Sequence, residues 1–438
     1  MKRLSGPVEV QLELTEECNF KCRHCYNFWR YGGAEPKKEL GIAQFLRIMD
    51  ILNESGVGAL TITGGEPLLR SEVLFLVLKA AKKYGIEVGL NSNATLITKD
   101  IACRLKNEGL NRVLCSLLGL EVVHNFISCA EDGFSQAIKG IENLIGAGLP
   151  VSINMVASKH NHKEIFKVAE FVCGLGINTF CVTPIVPSHK SNLSMVLCRD
   201  ECKQVLRNLL VIGKKYSINV DTLEPVARCL FDRDDEDDFL FFFGKRICSA
   251  AITSCAISAY GQVRPCVHSD ESFGSILEEG MSSVWKKMSP WSDESILPVE
   301  CSSCLAVFVC EGGCRMSSKI TNGKRNGKDM YMSQPITEKE RVVKLPNRDN
   351  KEYKISISER FEFNPSVKIR KESFGGIAYV HNNIEFFTPA GFKIVEILAQ
   401  KRSCSVYEIA ESFGFVNNDL RFVFERLLVR GIIQNERR

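Results

Sequence analysis

Three cysteines stand in the stretch CNFKCRHCYN: Cys18, Cys22 and Cys25, at C-x3-C-x2-C spacing. A closed structural zinc site takes four protein ligands. Three thiolates with no fourth cysteine nearby suit a centre with one position kept for something that is not protein. They can hold three irons of a 4Fe–4S cluster and leave the fourth iron free for a substrate or cofactor. Zinc is the alternative, with His24 as its fourth ligand, although a ligand so close in sequence strains the loop. A second cysteine group follows much later. RICSAAITSCAISAYGQVRPC carries Cys248, Cys255 and Cys266, and CSSCLAVFVCEGGC carries Cys301, Cys304, Cys310 and Cys314 at C-x2-C-x5-C-x3-C spacing. Zinc is also an alternative for such C-x2-C pairs.

The chain has 438 residues and 19 cysteines. Its length predicts two or three domains. Apolar runs fall short of the ~20 residues a membrane helix needs. The N-terminal MKRLSGPVEVQLELT is followed by an acidic, alternating strand pattern, not a signal peptide. A cytoplasmic protein is expected. Disulfides are rare there, so clustered cysteines read as metal or redox-cofactor ligands. The scattered Cys103, Cys115, Cys173, Cys181, Cys198, Cys202 and Cys229 read as packing residues within apolar patterns. A formal net charge of +4 gives no reason to expect nucleic acid or a membrane surface as partner.

These groups must be held by ordered elements. From residue 8 to about 216, strand-like runs (8–15, 58–65, 86–93, 111–118, 149–156, 177–186) alternate with helix-like segments (39–54, 71–84, 99–107, 135–147, 163–174, 199–215). Such alternation predicts an α/β fold with a parallel sheet, here a partial (β/α)6 barrel over 1–220. By analogy with full barrels, ligands sit beyond the C-terminal strand ends, where Cys18, Cys22 and Cys25 fall. The acidic run RDDEDD (233–238) lies in a linker, 221–244. A cysteine-rich domain is expected over 245–335 and a second linker over 336–358. The remainder, 359–438, reads as three strands followed by three helices, a small winged-helix-like α+β module. Thr388 and Pro389 there make a good helix start.

The first motif, placed after the first strand of an α/β chain, resembles that of the radical S-adenosylmethionine (radical SAM) superfamily. TGGEP (63–67) after the second strand agrees with it. In that family the motif hydrogen-bonds the methionine amino group of SAM. Gly64 and Gly65 let backbone approach a ligand, Glu66 offers an acceptor to an ammonium, and Pro67 completes the motif. NSNAT (91–95), with Asn93, resembles the segment after strand three. CSLLGLEVVHNFI (115–127) resembles a later one, in which Ser116 would contact the ribose or carboxylate of SAM. Leu118 stands where an Asp is common. Asn154 and Asn161 also match polar family positions. The resemblance implies that SAM chelates the open iron, that an electron cleaves its C5′–S bond, and that the 5′-deoxyadenosyl radical abstracts a substrate hydrogen.

The later cysteines resemble a SPASM domain, which implies two auxiliary clusters, both 4Fe–4S. The first would use Cys248, Cys255, Cys266 and Cys314, and the second Cys301, Cys304 and Cys310 plus a final cysteine. The expected region, GKDMYMSQP (327–335), has no cysteine. The second cluster then has either an open iron or another ligand, for which Asp329 is the candidate. The C-terminal module resembles PqqD-like recognition elements for ribosomally made, modified peptides, which bind leader peptides by β-augmentation. Tyr379, Val380, Ile384, Glu385, Phe386, Phe387, Arg421 and Phe424 are the candidate contacts. A winged-helix DNA-binding module is the alternative.

Together these resemblances imply an enzyme, a radical SAM/SPASM maturase installing a thioether or a carbon–carbon cross-link in a precursor peptide. A flavodoxin- or ferredoxin-type electron donor would serve it. A formylglycine-forming oxidase of the sulfatase-maturing kind and a non-catalytic iron–sulfur or zinc scaffold are the alternatives.

Overall fold

The computed structural model describes residues 3–31, 38–231, 247–337, 355–356, 358–380, 383–413 and 417–436. The acidic run 233–238 and most of the second expected linker lie outside them.

Strands β1 (Glu9–Glu13), β2 (Ala59–Thr63), β3 (Glu87–Ser92), β4 (Arg112–Ser116), β5 (Val151–Ala157) and β6 (Thr179–Pro184) lie side by side in chain order, all parallel. Helices α1 (Ile42–Glu54), α2 (Ser71–Tyr84), α3 (Lys99–Asn107), α4 (Glu121–Ser128), α5 (Gly133–Gly146), α6 (Ile165–Gly174) and α7 (Arg199–Tyr216) make the crossovers. The expected partial barrel is therefore present, and it is extended at both edges. β7 (Asn219–Asp221) adds to β6, while β8 (Ser254–Ile257) pairs parallel with β1 and carries the antiparallel β9 (Val263–Arg264). The strand that brings Cys255 is thus part of the same sheet.

Strand interiors such as Leu60, Ile62, Val88 and Leu90 pack with Val77 and Leu78 of α2 in one apolar core. Local chemistry sets the ends. Thr98 caps α3 by accepting from the Ile101 amide, and Gly85 ends α2 in the left-handed region at φ 61°. Helix α4 was not expected. Its sequence EVVHNFIS is rich in β-branched and aromatic residues and starts after Leu120 without a side-chain cap.

Beyond the barrel come α8 (Ile276–Lys287), α9 (Val307–Cys310) and α10 (Arg315–Asn322). The C-terminal module has the expected strands β11 (Lys368–Glu372), β12 (Gly375–Val380) and β13 (Asn383–Phe387), preceded by an unexpected β10 (Arg360–Phe363). Helices α11 (Pro389–Lys401), α12 (Val406–Phe413) and α13 (Asn417–Val429) follow. β10 pairs with two short strands, β14 (Ser403–Ser405) and β15 (Ile433–Asn435), in a second sheet. Thr388 caps α11 through the Gly391 amide, with Pro389 in the first turn.

This module is seated on the N-terminal end of the barrel, away from the cysteine loop. Leu4, Val8, Ile377 and Tyr379 form a small apolar cluster. The Tyr379 hydroxyl donates to the Gly56 carbonyl, Lys368 Nζ to Val57 O at 3.0 Å, and Arg370 Nη2 to Gly6 O at 2.7 Å. Among the described residues no helix is long and apolar enough to cross a membrane.

Candidate active site and auxiliary cysteine sites

The loop after β1 carries Cys18, Cys22 and Cys25, all partly buried. Its outer limb is tied to α4: the Lys21 and Arg23 amides donate to Ser128 O (3.3 Å) and Ile127 O (2.9 Å). Burial pushes all three thiols up, and the Arg30 guanidinium draws each of them down. Burial penalises a thiolate, so the three sulfurs become anions together only when a cationic centre shares their charge. That donor set fits an iron–sulfur cluster. The pKa of the His24 ring is lowered to about 4, by burial first and then by His124.

The TGGEP turn is pressed onto this loop. The Gly65 amide donates to Thr15 O (2.7 Å), the Glu66 amide to Glu17 O (2.8 Å), and Asn27 Nδ2 to Gly64 O (2.9 Å). Gly64 has φ 133°, a conformation that favours glycine. Pro67 opens a short turn, Pro67–Arg70, which Glu66 caps. Glu66 does not hold out a free carboxylate. Its oxygens accept from the Leu68 amide (3.2 Å), Ser92 Oγ (2.9 Å) and the Asn93 amide (2.9 Å), and burial raises its pKa to about 7. Asn93 in turn donates to Asn19 Oδ1 (2.8 Å), beside Cys18. The first three βα loops are one hydrogen-bonded unit.

Ser116, the last residue of β4, is the register partner of Asn154 in the middle of β5, and the Asn154 side chain accepts from Thr183 Oγ1 (2.8 Å). Asn161 is buried and braces backbone, donating to Leu118 O (2.7 Å) and Val156 O (2.8 Å). Next to the cysteine loop, a buried Glu13–Arg264 ion pair joins β1 to β9, with Arg264 4.9 Å above the Phe28 ring. Tyr26 packs 4.9 Å from His268, which pairs with Glu224 at 2.9 Å. These contacts close the barrel mouth against the cysteine-rich domain. Sequence reading missed them because each joins residues far apart in the chain.

Of the later cysteines, Cys248 acts electrostatically on Cys266 and on Cys314, and burial raises all three. Burial also raises the Cys255 thiol. Cys301, Cys304 and Cys310 line a separate gap, together with Cys229. Asp329 is not there. Its Oδ2 accepts from the Cys314 amide (3.0 Å) and its Oδ1 from the Tyr331 amide (2.9 Å). The expectation that it completes the second site is corrected: the loop after α10 folds it back against Cys314.

Most of the expected peptide contacts in the C-terminal module are also packing residues. Tyr379 is buried against the barrel, and Phe424 lies in the module core with its ring 5.6 Å from Phe361. Ile384 is packed on the docking cluster, and Val380 and Phe387 on the module core. Glu385 is held by Arg426 at 2.7 Å and Arg430 at 2.5 Å. Phe386 is exposed on β13, an edge strand of its sheet. The Arg421 side chain lies outside the described residues.

Comparison with known proteins decides the framework. Residues 12–172 match the radical SAM superfamily, and residues 248–305 match SPASM, an iron–sulfur cluster-binding domain. The chain is built on a radical SAM domain and a SPASM domain. It is 28% identical to an AdoMet-dependent heme synthase of Oleidesulfovibrio alaskensis over 72% of this chain and 84% of that protein. It is 27% identical to the mycofactocin maturase MftC of Mycolicibacterium smegmatis over 79% of this chain and 89% of that protein. Streptococcus suis SuiB, solved with its precursor peptide SuiA, has the same fold, with a TM-score of 0.60 at 19% identity over 75% of this chain and 76% of that one. The cofactors of this radical SAM/SPASM enzyme are SAM, a 4Fe–4S cluster and auxiliary iron–sulfur clusters.

Proposed function

We propose that this radical SAM/SPASM enzyme modifies a ribosomally made precursor peptide, forming a cross-link, with a thioether favoured over a carbon–carbon bond. The observation that carries the reading is the pairing of two features in one chain. A three-thiol loop is braced by the TGGEP turn at the C-terminal end of the barrel, and a module with an exposed aromatic on an edge strand is docked at the other end. Kinship with MftC and the likeness of fold to peptide-bound SuiB support it.

Cys18, Cys22 and Cys25 would hold the cluster, and the backbone of residues 64–66, with Asn93, Ser116 and Asn154, would receive SAM. When bound, cluster and SAM together supply the one-electron cleavage that yields a hydrogen-abstracting radical. The protein's part is exclusion and aim. Buried Arg264 and the partly buried Phe28, Trp29, Tyr26 and His268 form a wall at the cysteine loop, which would keep water from a reactive centre. A flavodoxin- or ferredoxin-type protein would deliver the electron. β13 would take up the leader as an added strand, with Phe386 packing on it.

Kinship with the heme synthases favours a second reading, action on a small molecule at the same site. One experiment separates the two. The reconstituted enzyme, SAM, a reductant and the peptide from the neighbouring short open reading frame are incubated anaerobically. Peptide cross-linking is read as loss of two hydrogens from the peptide mass. SAM cleavage with the peptide mass unchanged would reject the peptide reading.

A further inference from the structure

Cys229 sits in a short turn, Arg228–Leu230, on the segment leaving β7. It lies upstream of the SPASM cysteines, far in sequence from Cys301, and outside any motif. The fold nevertheless returns it to the gap lined by Cys301, Cys304 and Cys310. We propose that Cys229 is the fourth thiolate of the second auxiliary cluster, supplied from upstream in place of the cysteine missing after Cys310.

Four observations carry this. First, Cys229 lines one gap with Cys301, Cys304 and Cys310, so the four thiols share one neighbourhood. Second, backbone amides are aimed at these sulfurs: Ser333 N lies 3.2 Å from Cys229 Sγ, Ile336 N 3.4 Å from Cys304 Sγ, and Gly312 N 3.5 Å from Cys310 Sγ. A thiol that merely fills a core has no need of an amide donor, whereas a ligating thiolate is stabilised by one, and such bonds tune a cluster's potential. Third, Arg228 beside it is buried and lines the same gap, where its positive charge would offset part of a cluster's negative charge. Fourth, the competing donor is committed elsewhere, since Asp329 spends both carboxylate oxygens on backbone amides at Cys314 and Tyr331.

Packing alone is the plain alternative for a partly buried cysteine. It accounts for the burial of Cys229 but not for its position among three thiols of a SPASM motif. A cluster held by four thiolates has no iron free for a peptide thiol or amide. The second auxiliary site would then exchange electrons and not bind substrate. The segment around 227–231 would become a cluster-bound strap between barrel and SPASM domain.

This goes beyond the proposed function and is tested without a peptide substrate, so the two can fail separately. The full chain is reconstituted anaerobically as wild type, Cys229→Ala, Cys229→Ser and Cys173→Ala. Iron and sulfide content, the EPR spectrum of the reduced protein and its midpoint potentials are measured. Wild type and Cys173→Ala should hold about twelve irons, for three four-iron clusters. Cys229→Ala should lose up to about four irons, or keep them with a changed auxiliary EPR signal. Cys229→Ser, which conserves shape and offers oxygen in place of sulfur, should keep its iron and shift one midpoint potential. Wild-type iron, spectrum and potentials in Cys229→Ala would overturn the assignment. So would an unshifted set of potentials in Cys229→Ser, even where the alanine variant folds poorly.

Discussion

Gly65 and Glu17 touch through their backbones: a β-carbon built on Gly65 would fall far inside contact distance of the Glu17 carbonyl oxygen. Glu17 immediately precedes Cys18, so the TGGEP turn and the cysteine loop set each other's position. The obstructing atoms are backbone and cannot swing aside. Gly65→Ala should therefore destabilise the fold by roughly 1–3 kcal/mol, as overpacking does. It should also displace the loop and cut SAM cleavage at least tenfold. Thermal melting and 5′-deoxyadenosine release measure the two effects. A variant that melts and turns over like wild type would sink this account of the loop.

Cys22 feels the charges of Cys18, Cys25 and Cys129 at once. Cys22→Ala should abolish SAM cleavage while leaving the auxiliary sites loaded. Iron should fall from about twelve to about eight per chain. Cleavage surviving at wild-type rate would mean that the cluster lies elsewhere.

What the sequence disclosed tracks how local each signal is. The three loop cysteines, the TGGEP turn and the Thr388–Pro389 helix start are runs of neighbouring residues, and each stands where its local chemistry predicts. Tertiary pairings were not legible. Cys229 looked like a packing thiol because its companions come from a different domain, and Asp329 looked available because the bend returning it to Cys314 leaves no local mark. Tyr379 fitted a peptide-binding strand by type, yet its ring fills the space over Gly58 and its hydroxyl is spent on Gly56. Helix α4 and strand β10 owe their conformation to partners, α4 to the cysteine loop and β10 to β14 and β15.

Glu66 gives a pH signature. Burial raises its carboxyl from the ordinary range to about 7, while hydrogen bonds from Asn93, Leu68 and Ser92 oppose that. The folded chain then binds a proton that the unfolded chain has released. The resulting stability is present below about pH 4.5 and is lost as pH rises through about 7. Over that window the ligand-free wild type should lose up to about 1.4 kcal/mol per pH unit more than Glu66→Gln. Urea midpoints of both proteins between pH 5 and 8 test it. Parallel pH profiles would show that Glu66 stays ionised throughout.

β13 is the remaining lever on substrate. It is an edge strand with Phe386 exposed, and Glu385 beside it is fastened to Arg426 and Arg430 of the α13 end. An added peptide strand would pair with the β13 backbone and pack against Phe386. Phe386→Ala should remove roughly 1–3 kcal/mol of leader binding, about a 5- to 150-fold loss in affinity. SAM cleavage without peptide should stay at the wild-type rate, because the module is docked at the far end of the barrel from the cysteine loop. Fluorescence anisotropy with a labelled leader peptide gives the affinity, and 5′-deoxyadenosine release gives the uncoupled rate. The same separation sets a minimum peptide length. Strands of five to seven residues rise about 3.3 Å per residue, so a bound leader and the modified residue must be joined by on the order of ten extended residues to pass from one barrel end to the other. Precursors shortened below that spacer should still bind through the leader and yet escape modification. A short-spacer precursor modified at full rate would place the leader site elsewhere than β13.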